Sequence, residues 1–156
     1  MMYKKIMVPL DGSELAECVL PHVETFISHC RIQTIVFVWV LETITPAVAG
    51  EYAINIEELE KQEASRRTTA EEYLKKVVGR FHPEDTKLLI EVLSGRPADK
   101  LADYAEKNGV DLILMATHGR SGVSRWVRGS VADRILRAAS APVLMVRVPG
   151  VTGKQD

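Results

Sequence analysis

The chain has 156 residues, enough for one domain with a full hydrophobic core. Apolar residues make up 46% and charged residues 26%, and the net charge of −1 excludes a chain that binds polyanions through overall basicity. No apolar run reaches the roughly 18–20 residues that cross a bilayer, and residues 1–6 are too polar for a signal peptide, so we expect a cytoplasmic protein without membrane contact.

The first quarter of the sequence predicts two buried strands with a helix between them. Tyr3–Leu10 contains a short apolar run of the kind found in buried strands. Residues 11–13 read Asp-Gly-Ser and predict a turn and a helix start. Apolar residues then recur at helical spacing over 16–27, where Pro21 predicts a kink or a shortened first segment. The β-branched and aromatic run Thr34–Leu41 predicts a strand covered on both faces.

The two cysteines, Cys18 and Cys30, are too few for a disulfide framework and do not have the spacing of metal ligands. Both lie in or near the first apolar-periodic segment. We therefore expect both thiols to be reduced and buried.

The middle of the chain predicts a long loop followed by helix, strand and helix. Glu42–Ile56 contains proline and glycine and has no clear period, which favours a loop. Glu57–Phe81 is a long helical segment with an apolar stripe in its second half, and Lys87–Leu93 predicts the third strand. The next helix follows Pro97, and its expected inner face consists of Ala98, Leu101, Ala102 and Ala105.

The last third predicts two more strands around a glycine-rich stretch and a helix. Val110–Ala116 is the fourth strand, Ser130–Ala139 is the helix and Pro142–Val148 is the fifth strand. Residues 149–156 are polar and predict a flexible tail after a single domain, residues 1–148. The inner face expected for this helix consists of Val131, Ile135, Leu136 and Ala139.

Strands and helices alternate along the whole chain. That order predicts an α/β fold, a Rossmann-like three-layer open sheet of five mostly parallel strands with helices on both faces. Ligands of such sheets bind beyond the carboxyl ends of the strands, where the strand order reverses. The segments expected to line a site are therefore residues 9–13, 40–42, 94–97 and 116–130.

The stretch from Met115 to Val131 has the character of a phosphate-binding loop. Its three glycines permit close approach of a ligand to the backbone and positive φ angles. Gly129 and Ser130 precede or open a helix, whose free N–H groups and positive dipole end favour anions. The stretch contains neither a Walker loop nor the Gly-x-Gly-x-x-Gly fingerprint, and glycines that merely end a strand or helix are the alternative interpretation.

Three motifs, taken together and in this order, resemble the universal stress protein family. Residues 8–14, Val-Pro-Leu-Asp-Gly-Ser-Glu, are similar to its opening signature. Residues 115–119 with 129–132 are similar to its nucleotide loop, and residues 142–146 are similar to its last strand. The resemblance extends from residue 2 to about residue 148. It implies the family's α/β fold and a homodimer that forms through the last strand, Pro142–Val148.

The ATP-binding branch of this family has a loop of glycine, two residues, glycine, nine residues, glycine and then serine or threonine. Gly119, Gly129 and Ser130 match the second glycine, the third glycine and the hydroxyl residue, with the spacing kept. Ala116 replaces the first glycine, where a methyl group could crowd the ligand. Since some members of the family bind no ATP, a nucleotide-free dimeric interaction module stays open as an alternative.

The resemblance implies further contacts from the strand ends. Pro9 and Asp11 match residues that meet the adenosine, with Asp11 placed to accept from ribose or base. Asp11 is equally well placed to cap the following helix, with Glu14 completing a capping box. Val40 matches a residue that packs on the adenine, although by itself it is typical of a core valine.

Other expected contacts come from the loop and its flanks. Met115 is either a core residue or a flank of the base, and His118 is either a donor to phosphate or ribose or a loop hydrogen-bonder. Val131 offers a backbone N–H at the helix start. The basic and aromatic residues of the loop predict a wall for the triphosphate charge, with a solvated surface and nucleic acid as alternatives, nucleic acid last. These residues are Arg120, Arg125, Trp126 and Arg128.

The leading functional hypothesis is therefore a homodimeric regulatory domain in the stress response that binds ATP, or AMP or ADP, with Mg²⁺ accompanying the nucleotide. We assign no catalytic residue and no protein metal site. Asp11, His118 and Ser130 could form a hydrolytic trio, so a slow ATPase stays open. Closure of Glu42–Gln62 over the ligand is also left open by the sequence.

Overall fold

The computed structural model describes residues 3–43, 56–117 and 131–147, in which strands and helices alternate. The elements are β1 (Lys5–Pro9), a 3-10 helix (Ala16–Val19), α1 (Leu20–His29), β2 (Thr34–Leu41), α2 (Ile56–Val78), β3 (Lys87–Ser94), α3 (Pro97–Lys107), β4 (Leu112–Ala116), α4 (Val131–Ala138) and β5 (Val143–Val146). The strands form one sheet in the order β3-β2-β1-β4-β5, and every pairing is parallel. This confirms the predicted α/β fold.

The sheet separates two hydrophobic cores because successive side chains of a strand point to opposite faces. The first core packs Ile35 and Phe37 of β2 against α1 and α2, with Leu74 of α2 fully buried. The second core packs Val36 and Val38 of β2 against α3 and α4. The continuous apolar run of β2 is therefore explained by helices on both sides of the sheet.

The pairing of β1 with β4 ends before the carboxyl ends of these strands, and we call the unpaired ends of β1 and β4 the opening. The pairing of β1 with β4 runs through Ile6 with Leu112 and Met7 with Ile113. On the other side of β1, pairing with β2 continues to Pro9 and Val38, and β4 stays paired with β5 as far as Ala116. The chain leaves β1 towards β2 and later returns to add β4 on the opposite side, so the strand order reverses at this opening. Open α/β sheets hold their ligands at such a point.

The first two helical segments differ from the sequence-based expectation by more than one residue at a boundary. The first helical segment is divided into the 3-10 helix and α1, and Pro21 stands in the first turn of α1, where its missing N–H is not needed. The proline therefore marks the shortened segment that the sequence predicts. α2 ends at Val78 rather than at Phe81, because Gly79 and Arg80 form a turn. Phe81 is still buried and stacks on Phe37, with ring centroids 5.7 Å apart.

Two predictions of burial were wrong. Leu136 is 52% exposed, since α4 covers the outer part of the sheet and has fewer neighbours than α3. Cys30 is exposed because it follows the end of α1, and it is not part of a disulfide. Cys18 is half-buried, and burial raises the pKa of its thiol. Of the expected inner face of α3, Ala102 is half-buried and the other three residues are buried.

None of the described helices combines the length and apolar character needed to span a membrane. Residues 149–156, which the sequence predicts to form a tail, lie outside the described residues.

The start of β4 is joined to the start of β1 by Asp111. One oxygen of its carboxylate accepts the backbone N–H groups of Lys4 and Lys5, each at 2.8 Å. These two bonds hold the pKa of Asp111 below its ordinary value. The carboxylate thus ties two strands that are far apart in the sequence, at the end of the sheet opposite the opening.

We expect Asp111→Ala to lower the free energy of unfolding by about 1–2 kcal/mol at pH 7, because two backbone donors lose a charged acceptor. Because the folded pKa is the lower one, this contribution is present above the unfolded pKa of about 4 and is lost as the pH falls through the folded value. Urea denaturation at pH 7 and at lower pH measures both effects. Asp103→Ala, at an exposed position of α3, is the control, and equal losses in the two variants would contradict the prediction.

Candidate functional site

Three described segments lie at the carboxyl edge of the sheet, beside the opening. They are the turn after β1, the end of β2 and the end of β4. Parallel strands present their carboxyl ends at one edge, so the fold itself brings these segments together. Of the residues predicted for the site, the described ones are Pro9, Asp11, Val40, Met115, Ala116 and Val131.

The turn after β1 is held by its own side chains. The Oδ1 atom of Asp11 accepts the backbone N–H of Ser13 at 3.0 Å and its hydroxyl at 2.6 Å. Ser13 Oγ in turn accepts the N–H of Ala16 at 3.1 Å, at the start of the 3-10 helix. The predicted capping box of Asp11 with Glu14 was wrong, because helical structure begins only at Ala16. The N-cap position is Leu15, which makes no side-chain cap, and Glu14 is exposed. We call residues 11–13 the Asp11 turn.

Aromatic and charged side chains support the Asp11 turn from the side of the first core. Trp39 of β2 lies against Gly12, and the ring of Tyr73 from α2 meets Trp39 edge-on at a centroid distance of 5.2 Å. The hydroxyl of Tyr73 donates to Glu17 Oε1 at 2.8 Å, and Arg80 donates to Glu17 Oε2 at 2.6 Å. Burial, followed by the bond to Glu17 and its charge, raises the pKa of Tyr73, which stays neutral.

Trp39, Tyr73 and Glu17 were not predicted from the sequence as residues of this region. The sequence predicts Trp39 in a buried strand and Tyr73 in the apolar stripe of a helix, and both residues pack against the first core. Their contact with the Asp11 turn was not predicted. The sequence feature that could have identified Trp39 is its indole in a strand of mostly aliphatic side chains. The glycine turn at residues 11–13, after the preceding strand, is the place where a large side chain could pack on the backbone.

Side chains near the ends of β2 and β4 differ in accessibility. Val40 is half-buried and packs against the second core beside Leu93 of β3. Met115 is 1% exposed and lies within the same core. Ala116 is 4% exposed, and its methyl group packs in the first core, whereas α4 packs on the second. The backbone of Thr117 continues the ladder, donating to Val146 at 2.8 Å.

Part of the predicted loop lies outside the described residues. The predicted contacts there are His118, Gly119, Arg120, Gly129 and Ser130, and the other basic and aromatic residues of the loop are Arg125, Trp126 and Arg128. Val131 is the first residue of α4 and is half-buried. Within residues 3–43, 56–117 and 131–147, no group of three or more histidine, cysteine or acidic side chains is arranged to hold a metal ion.

The first half of α2 is tied to the carboxyl edge of the sheet. Arg66 donates to the backbone oxygen of Glu42 at 3.2 Å, just beyond β2. The hydroxyl of Ser94, at the end of β3, donates to Glu63 at 3.1 Å. The sequence left open whether Glu42–Gln62 closes over the ligand. Of this segment, residues 56–62 are part of α2, and the backbone oxygen of Glu42 is bonded to Arg66.

The architecture and the order of motifs agree with one known family. The model of the universal stress protein family matches residues 2–147. The chain belongs to the universal stress protein family. Universal stress protein MJ0531 of Methanocaldococcus jannaschii is 34% identical over 150 residues, which cover 95% of this chain and 84% of that protein.

Solved structures of family members have the same fold. Protein MJ0577 of Methanocaldococcus jannaschii is similar with a TM-score of 0.77 at 28% identity, over 96% of this chain and 99% of that chain. A family protein of Arabidopsis thaliana with AMP bound gives a TM-score of 0.63 at 17% identity, over 94% of this chain and 93% of that chain. A universal stress protein in complex with cAMP gives a TM-score of 0.63 at 17% identity, over 95% of this chain and 99% of that chain.

Proposed function

We propose that this chain is a regulatory domain of the stress response that binds an adenine nucleotide, ATP or alternatively AMP or ADP, at the opening between β1 and β4. The early end of the pairing between these two strands carries the proposal. It lies where the strand order reverses, next to the Asp11 turn. Nucleotides bind other doubly wound sheets at this position.

Each segment beside the opening suits a different part of the nucleotide. Asp11 offers carboxylate oxygens to ribose hydroxyls, while its bonds to Ser13 fix its orientation. Pro9 and Val40 contribute apolar surface for the adenine. The N-terminus of α4, with the glycine loop before it, suits the phosphates, which would bring Mg²⁺ as their own counterion.

The AMP and cAMP complexes of the two more distant family members support the adenine nucleotide as ligand class. The two ligands share adenosine and one phosphate, the groups for which the Asp11 turn and the α4 start are suited. The two cysteines are both free, which fits the reducing cytoplasm that we propose as the location.

The binding test is to denature the purified protein, identify any released nucleotide by mass spectrometry, and titrate ATP with Mg²⁺ by calorimetry. We expect bound nucleotide or a micromolar Kd, and a weakening of roughly 10-fold or more in Asp11→Asn, since a hydrogen bond to a charged group contributes about 1.5–3 kcal/mol. Asp99→Asn, on the exposed face of α3, should bind as the wild type does. Absence of released nucleotide together with no calorimetric or melting response to ATP would refute the proposal, and phosphate release in the same samples distinguishes a slow ATPase.

Ala116 is compatible with this proposal. Its methyl group fills space in the first core, on the face of the sheet opposite α4. A glycine in its place would therefore leave a small gap in the core and would not enlarge the side on which the phosphates are proposed to lie.

We expect Ala116→Gly to change the ATP affinity less than about 3-fold and to lower the free energy of unfolding by about 1 kcal/mol, through lost burial and added backbone freedom. Calorimetry and urea denaturation measure the two quantities. A gain in affinity of tenfold or more would show that the methyl group obstructs the ligand and that our explanation is wrong.

We also propose that the chain forms a homodimer through β5. The sheet has two outer strands, and on β3 the guanidinium of Arg67 donates to the outward-facing carbonyl of Val92 at 2.8 Å, which covers part of that edge. β5 carries Leu144, which is 41% exposed. An outer strand with an exposed apolar side chain favours pairing with a second copy.

Leu144→Arg should shift the mass measured by light scattering at micromolar concentration from dimer towards monomer, because like charges would face each other across the pair. Leu59→Arg is the matched control, since Leu59 is 38% exposed but lies on α2, far from β5 in the sheet order. A monomeric wild type, or a dimer that Leu144→Arg leaves intact, would rule out this assembly.

A further inference from the structure

We propose that Trp39 is a positioning residue that holds the Asp11 turn in place and thereby determines how strongly the site recognises the ribose hydroxyls. This inference rests on the proposed nucleotide function, but its structural part concerns the protein without ligand. Trp39 is outside the set of contacts that the family resemblance implies.

The indole of Trp39 packs directly against the backbone of Gly12 and leaves no space for a side chain there. A Cβ atom on residue 12 would lie 2.5 Å from Cη2 and 2.9 Å from Cζ3 of the ring. Gly12 also has a φ angle of 79°, which side-chain-bearing residues rarely adopt. Glycine is therefore required at this position for two reasons, and the indole is the surface on which the turn rests.

The indole is itself held by a second aromatic ring. Tyr73 meets Trp39 at an interplanar angle of 86°, the edge-to-face arrangement that aromatic pairs favour. The Tyr73 hydroxyl is bonded to Glu17, which belongs to the 3-10 helix directly after the turn. Arg80 holds the other oxygen of Glu17. Trp39 thus has a defined orientation.

These contacts form a closed circuit around the turn. From Asp11 the circuit passes through Ser13 to the 3-10 helix, then through Glu17 and Tyr73 to Trp39, and returns to Gly12. Before the turn, the N–H of Leu10 is bonded to the carbonyl of Val38 at 2.9 Å, next to Trp39 in the sequence. The circuit fixes the position of the Asp11 carboxylate relative to the end of β2.

Loss of the indole should therefore weaken binding of the ribose more than binding of the adenine or the phosphates. Hydrogen bonds depend steeply on distance and angle, so a carboxylate displaced by a relaxed turn would lose its bonds to the ribose. Contacts to the adenine and phosphates are made by other segments and would be retained. The diagnostic quantity is thus the ratio of affinities for ATP and its 2′-deoxy and 3′-deoxy analogues.

The test measures these three nucleotides by calorimetry with wild type, Trp39→Leu, Trp39→Phe and Tyr73→Phe. We expect the wild type to bind ATP about 10-fold more tightly than at least one deoxy analogue. Trp39→Leu should lose about 10-fold in ATP affinity and less than about 2-fold for that analogue, which removes the preference. Trp39→Phe should recover part of the preference, and Tyr73→Phe, which keeps the ring, should keep most of it.

Phe26→Leu is the control for general loss of packing. Phe26 is another half-buried aromatic residue of the first core, but it lies in the second half of α1, away from the carboxyl edge. Its substitution should lower the melting temperature while leaving the nucleotide ratio unchanged. A wild-type ratio in Trp39→Leu would overturn the inference, and so would an equal loss of ratio in Phe26→Leu.

A second measurement needs no ligand and separates this inference from the proposed function. Amide hydrogen exchange of the free proteins should be faster at Ser13, whose N–H is bonded to Asp11, in Trp39→Leu than in Phe26→Leu. Equal exchange rates of this amide in the two variants would refute the positioning role. If the wild type bound none of the three nucleotides, the proposed function and ribose recognition would both fail, and these exchange rates would still decide whether Trp39 positions the turn.

Discussion

The short pairing of β1 with β4 is the constraint on which the proposed site depends. The ladder between these strands ends after Met7 and Ile113, whereas β1 stays paired with β2 as far as Pro9 and β4 with β5 as far as Ala116. At the opposite end, Asp111 joins the same two strands by accepting backbone N–H groups. The ladder between β1 and β4 thus lies towards their amino ends, and the end of their pairing faces the edge where open α/β sheets bind ligands.

The fold could be predicted from the sequence because its signals are local and strong. The continuous apolar run Thr34–Leu41 predicts a strand covered on both faces, and the structure places it between two cores. The helical stripe of Glu57–Phe81 buries Ala70, Leu74 and Val77 for the same reason. Strand order was not predicted, because it depends on which strands meet across long connections, and periodicity carries no information about that.

The site could be predicted less completely. The sequence placed Asp11 and Ala116 at the carboxyl edge of the sheet, where the structure has them, because parallel strands share that edge. The support from Trp39 was missed, since contact between an indole on β2 and a glycine after β1 appears only when the register is known. The exposure of Leu136 and Cys30 was missed because a helical period predicts one apolar face but not how far neighbouring elements extend over it.

The structure also changes how the replacement of the first loop glycine is interpreted. From sequence alone, an alanine at a glycine position implies crowding of the ligand. A strand residue, however, presents its side chain to one face, and residue 116 shares a core with Leu114 rather than with Met115 and α4. The methyl group is therefore a packing group of the first core. Under the proposed function, a site with this alanine would be as open towards the phosphates as one with glycine. The Asp11 turn and the Trp39 indole against which it rests are then the features proposed to discriminate among ligands.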